Sequence, residues 1–144
     1  MSITDMNKDA FKEFAKIVLF CCNNSKRKVY IRHLKIMLGY YLIKTQKLKN
    51  EKSDLLHISI SEEGVEIAHF EEYLTIMHEI GFIDMEKNIY GTIVGAKKKL
   101  EEKAYENSEL EVLQDIIEKS TDNLQEYLDI NISDSQFNKK ENMI

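Results

Sequence analysis

Residues 73–100 read YLTIMHEIGFIDMEKNIYGTIVGAKKKL, and the spacing of their apolar residues changes twice along the stretch. Tyr73, Leu74, Met77 and Ile80 recur at helical intervals up to Gly81. Ile83 and Met85, then Ile89 and Ile93, stand on either side of the polar trio Glu86-Lys87-Asn88, which predicts a small β-hairpin. From Gly95 the pattern is helical again through Leu100 and Ala104. Glycine has a physical use at both junctions. Gly81 lets the chain leave the helix with positive φ, so that Phe82 and Ile83 can start a strand packed against it, and Gly95 permits a tight turn into the next helix. Helix, hairpin and helix in this order predict a mainly α domain with a small β-hairpin or three-stranded sheet.

Upstream, Ser61 followed by Glu62 and Glu63 has the character of a helix start. The predicted helix runs from there to Gly81, with Ile67, Phe70, Leu74 and Met77 inward and Glu66, His69, Glu72, Thr75 and Glu79 outward. Leu56 to Ile60 alternates like a half-buried strand. A first helix is expected from Asp5 to Cys22, where Ala10, Phe11, Phe14, Ile17, Val18 and Cys21 form one stripe. Ser25 can cap a second helix, Lys26 to Leu48, facing inward through Val29, Leu34, Met37, Leu38, Tyr41 and Leu42.

Downstream, Ser108 with Glu111 has capping-box spacing and opens a last helix. Its Leu110, Leu113, Ile117, Leu124 and Leu128 lie near a seven-residue repeat. Such a stripe either docks on the chain's own core or makes a homodimer through residues 108–129. A single domain over 1–130 is expected, with C-terminal helices over about 95–129, followed by a polar tail, 131–144, expected to be disordered.

The chain has 144 residues, 43% apolar and 31% charged, which suits one globular domain with a real core. No apolar run approaches the roughly 20 residues of a membrane span, and the start MSITDMNKD lacks the features of a signal peptide. Cys21 and Cys22 are adjacent and point apart on a helix, so neither a disulfide framework nor half of a zinc site is expected; a reducing cytoplasm is the simplest location. High Asn, Lys and Ile content without Pro or Trp suggests an AT-rich genome such as that of a mobile element.

The net charge of -5 is unevenly spread. From Asn24 to Asn50 stand Lys26, Arg27, Lys28, Arg32, Lys35, Lys44, Lys47 and Lys49 with no acid. The rest of the chain is neutral or acidic, giving a pI of about 5.4. Such a basic run either meets a polyanion or pairs with the protein's own carboxylates.

Other chemistry is weakly represented. No two of the five glycines have the spacing of a phosphate-binding loop. Glu66, His69 and Glu72 share a helical face with metal-ligand spacing, but no second helix supplies a matching pair. The thiols sit in an apolar helix, where cysteine is usually inert packing, and His33 belongs with the polar surface of the basic run. No cofactor, metal site or enzymatic activity is expected.

Residues 73–100 also resemble the second half of winged-helix DNA-binding domains of the PadR-like and MarR-like type. The matching pieces are the step Gly81-Phe82-Ile83, a hairpin wing, and the exit Tyr90-Gly91-Thr92-Ile93-Val94-Gly95 leading to Leu100. The resemblance implies a winged-helix-like α+β domain in a regulator of transcription, replication or DNA segregation acting on double-stranded DNA. Two departures stand beside it. No positioning helix separates the expected strand from the helix ending at Gly81, and that helix presents carboxylates, which phosphates repel. Nucleic-acid contacts are therefore expected from Lys26, Arg27, Lys28, Arg32 and Lys35, helped by Lys97, Lys98 and Lys99, with Lys87, Asn88 and Thr75 at groove level. The competing reading is a protein-interaction module, such as an inhibitor, antitoxin or adaptor, with its partner at the acidic helix 62–80.

Overall fold

In a computed structural model, residues 8–25, 28–48, 58–61 and 64–119 are described. Four α-helices lie among them: α1 (Lys8–Asn24), α2 (Ile31–Leu48), α3 (Phe70–Glu79) and α4 (Asn107–Glu118). A three-stranded antiparallel sheet has the order β1-β5-β4, from β1 (Val29–Tyr30), β4 (Ile83–Asn88) and β5 (Gly91–Ala96). A separate hairpin joins β2 (Ile58–Ser61) to β3 (Gly64–Ile67). The mainly α fold with a small sheet is thus the architecture of the chain. Among the described residues no helix is long and apolar enough to cross a membrane.

The core forms where the helical stripes meet the inner face of the sheet. Ala10, Phe14, Ile17, Val18 and Cys21 of α1 are buried, and Phe14 meets Phe70 and Tyr73 of α3 with ring centroids 5.6 and 5.0 Å apart. Leu34, Met37, Leu38, Tyr41 and Leu42 of α2 complete the expected inward stripe. Val29, Val94 and Ile83 are buried beneath the helices, whereas Tyr30, Ile93 and Glu86, one register step away, belong to the opposite face of the pleat.

Five boundaries differ from the sequence reading. The hairpin turns at Ile89-Tyr90 and not at the polar trio Glu86-Lys87-Asn88, which lies in β4 and pairs with Gly91 to Ile93. Val29 is buried as predicted but in a strand: it pairs with Val94, so α2 begins at Ile31 rather than at Lys26. The expected helix from Ser61 to Gly81 is divided, because Ser61 pairs with Gly64 and Glu66 with Ser59 in the β2–β3 hairpin. His69, at φ 62°, then reverses the backbone and α3 starts at Phe70. After Gly95 the chain stays in β5 to Ala96 and makes only a single 3-10 turn, Glu102–Ala104, before α4. Finally, α4 is capped two residues earlier than its Ser108/Glu111 spacing suggests: the Glu106 amide donates to Glu109 Oε1 at 3.1 Å.

That shift follows from what holds Glu109. Only 4% exposed, its carboxylate also meets the Tyr41 hydroxyl at 3.1 Å and the Lys16 ammonium at 3.3 Å, joining α4 to α2 and α1. Tyr41 lies equally close, 3.0 Å, to Glu13 of α1, and the Tyr105 hydroxyl donates to the Lys16 carbonyl at 2.9 Å. Burial first, then the flanking carboxylates of Glu13 and Glu109, push the Tyr41 hydroxyl far above its ordinary pKa.

The apolar stripe of α4 serves this same junction. Val112, Leu113 and Ile116 are buried in the chain's own core, and Leu110 and Ile117 are partly covered. Of the expected stripe in α4, Leu113 is thus taken up by the chain's own core, whereas Leu110 and Ile117 keep part of their surface accessible to the homodimer contact expected through 108–129. Its further positions, Leu124 and Leu128, and the tail 131–144 lie outside the described residues.

Candidate nucleic-acid interface

The β4–β5 turn is where the expected contact residues come together. Asn88 pairs with Gly91, leaving Ile89 and Tyr90 as a two-residue loop. Hairpins of this length usually take Asn and Gly with positive φ in the loop. Here Ile89 and Tyr90 both keep negative φ, and Gly91, at φ 136°, absorbs the reversal after them. Side chains hold this unusual turn. The Asn88 Oδ1 accepts the Tyr90 amide at 2.7 Å, and Arg32 donates from Nη1 to the Tyr90 carbonyl at 2.6 Å. Asn88 Nδ2 donates to the Tyr30 hydroxyl at 3.2 Å, while the Arg32 guanidinium lies over the Tyr30 ring, 4.5 Å from its centroid. His33 stands edge-on to the same ring at 5.6 Å.

This geometry brings Arg32 and Asn88 together, 56 positions apart in the sequence, through Tyr30 and the Tyr90 backbone. One guanidinium N–H is committed to Tyr90; the fork has five, so others remain for a phosphate. Lys87 is exposed beside the turn, on the strand face that carries Ile83 and Met85 rather than the one that carries Asn88. Tyr30 and the exposed Tyr90 were not among the expected contact residues; Tyr90 entered the sequence reading only as part of the exit from the hairpin, whereas it stands at the turn apex.

The remaining expected residues are spread out. Lys26 and Arg27 lie outside the described residues. Lys28 is exposed just before β1, whose Val29 pairs with Val94 near the middle of β5. Lys35 meets Glu66 of β3 at 3.3 Å and lies 5.4 Å from the Phe70 ring centroid. Lys97 to Lys99 follow the far end of β5, roughly 17 Å from the turn at about 3.3 Å per residue. There Lys97 faces Asp84 at 3.8 Å and Lys98 covers the Phe82 ring at 4.4 Å. The basic residues are thus spread over the approach to β1, α2, β4 and the end of β5 instead of forming one patch, and several have partners in the chain. Exposed pairs of this kind are weak and exchange readily for another anion.

On α3, Thr75, Glu71, His78 and Glu79 are exposed, and His69 Nδ1 contacts Glu72 at 2.7 Å. The acidic surface expected there is present, on an element other than the one that carries Arg32. Among the described residues no three His, Cys, Asp or Glu side chains converge on a metal position. Burial holds the Cys22 thiol up at about 12 and raises Cys21 as well, so neither is a ready nucleophile.

With the turn and its anchors in view, comparison gives no relative to lean on: no family model, curated protein or solved structure matches the chain.

Proposed function

We propose that this protein is a non-enzymatic DNA-binding regulator of winged-helix type, acting in the cytoplasm on transcription, replication or segregation of DNA. The observation that carries the reading is the 2.6 Å bond from Arg32 to the Tyr90 carbonyl, which makes the basic start of α2 and the β4–β5 turn one surface. One further feature supports it. Gly81, at φ 82°, turns the chain out of α3 toward β4, the role its sequence context suggested. Along the chain α2 precedes α3, with the β2–β3 hairpin between them, so the departure from the winged-helix pattern at this point remains beside the reading.

The acidic surface of α3 makes groove insertion by that helix costly next to phosphates. Contacts therefore run through Lys28, Arg32, Lys35 and Lys87, joined by Lys26 and Arg27. Such contacts release counterions and give affinity that falls steeply with salt. The test is fluorescence anisotropy with a 30-base-pair duplex at two salt concentrations, comparing wild type with a Lys26/Arg27/Lys28 to Glu variant. Salt-sensitive binding that the variant loses is expected; no binding by wild type at low salt would refute the proposal. A second reading, a protein-interaction module, is favoured by one observation, the exposed acidic side of α3, and predicts that a basic protein partner is lost on Glu71→Lys/Glu79→Lys.

A further inference from the structure

The apex of the β4–β5 turn exposes two large apolar side chains, Ile89 at 90% and Tyr90 at 68%. Neither contributes to the core, and neither is a residue that the turn itself favours, since tight turns prefer Gly, Asn and Asp. A local rule broken without a folding gain points to use. The turn is also held from beneath. Asn88, Arg32 and Tyr30 fix its backbone, so the two apolar groups are presented on a rigid support with little ordering entropy left to lose on binding.

We propose that Ile89 and Tyr90 form an apolar wedge that enters a base step of duplex DNA from the minor groove, unstacking it and bending the duplex. This rests on the nucleic-acid reading above and adds to it a base-level contact and a mechanical consequence. Charge favours this occupant: Arg32 and Lys87 stand nearest the apex and the one carboxylate of the trio, Glu86, lies further down β4, so anionic groove walls meet cations where the apolar tip enters. Apolar wedges of this kind kink DNA by about 20–90°, most easily at flexible pyrimidine–purine steps.

The test uses the full chain and an Ile89→Ala/Tyr90→Ala variant, whose changes lie at the exposed apex; equal thermal midpoints establish that both are folded. A 30-base-pair duplex with a central TA step carries donor and acceptor dyes at its ends and 2-aminopurine at that step. Wild type is expected to raise energy transfer and to increase 2-aminopurine emission several-fold. The variant is expected to bind about 10-fold or more weakly, with an unchanged salt slope and neither optical change. Wild-type binding without bending, or bending that survives in the variant, overturns the wedge and leaves the phosphate reading standing. No binding by wild type at low salt removes both. Recruitment of wild type but not the variant to phosphatidylserine vesicles, with DNA left straight, overturns the proposal in favour of a lipid surface.

Discussion

Leu113 decides whether the C-terminal stripe belongs to this chain's core or to a second copy. It is 0% exposed on α4, which packs on both α1 and α2. Leu→Ala at a fully buried site removes the transfer free energy of the lost carbons and leaves a cavity, together about 2–5 kcal/mol. The α4 junction has limited freedom to collapse, because the Glu109 carboxylate is fixed by Lys16, Tyr41 and the Glu106 amide. We therefore expect about 3 kcal/mol. With a urea m-value of about 1.5 kcal/mol/M, suitable for a small domain, the midpoint falls by about 2 M. Leu110→Ala, on the half-covered side of the same helix, should cost less than half as much. The assay is urea denaturation followed by circular dichroism, with light scattering after size exclusion on the same samples. A Leu113→Ala midpoint within about 0.3 M of wild type, together with conversion of a dimer to a monomer, would refute intramolecular docking and return the stripe to a partner copy.

Three further outcomes follow from the geometry. Tyr41→Phe should lower stability at neutral pH by about 1 kcal/mol, measured as a urea midpoint, because its hydroxyl serves buried carboxylates on two helices. Stability of the wild type should fall as pH rises from about 10 toward 12: burial lifts the Tyr105 hydroxyl from 10.0 to about 12, so over that interval the folded state holds a proton that the unfolded chain releases. Tyr105→Phe should make this slope shallower, with Tyr41, whose hydroxyl is raised further, maintaining the rest, and a pH-stability profile identical to wild type would count against it. Gly91→Ala should cost about 1–2 kcal/mol, read as a lower thermal midpoint, since its φ of 136° is disallowed for alanine and the added Cβ would lie 3.2 Å from Arg32.

What the sequence made legible was periodicity within an element; what it hid was pairing between distant ones. The α1 stripe and the 83–94 hairpin were readable because their signals are local. Val29 and Tyr30 were not, since two residues before a helix carry no period, and only Val94 and Ile93, more than sixty positions later, make them a strand. Gly64 to Ile67 misled because Ser61 with Glu62 and Glu63 imitates a helix cap. At the candidate interface Arg32 and Asn88 were identifiable by residue type, yet their meeting through Tyr30 and Tyr90 depends on the sheet register. The burial of Glu109 gave no signal, because beyond its local bond to the Glu106 amide its partners, Lys16 and Tyr41, come from two helices more than sixty positions away.

The pairing of Lys35 with Glu66 separates the two meanings of the basic run. If the lysine exists to neutralise β3, removing the carboxylate leaves DNA affinity unchanged. If it faces a polyanion, Glu66 competes with phosphate, and Glu66→Gln should tighten binding. The pair is exposed, with 30% and 67% of the two side chains accessible, so its loss should barely affect stability and the variant reports on binding alone. Each additional phosphate neutralised steepens the dependence of log affinity on log salt by about 0.9. Glu66→Gln is thus expected to bind the 30-base-pair duplex more tightly at low salt, with a slope steeper by up to that amount, and to converge with wild type as salt rises. Equal affinity and equal slope across the titration would show that Lys35 serves the chain's own charge balance, and would confine the DNA surface to Arg32, Lys28 and the turn.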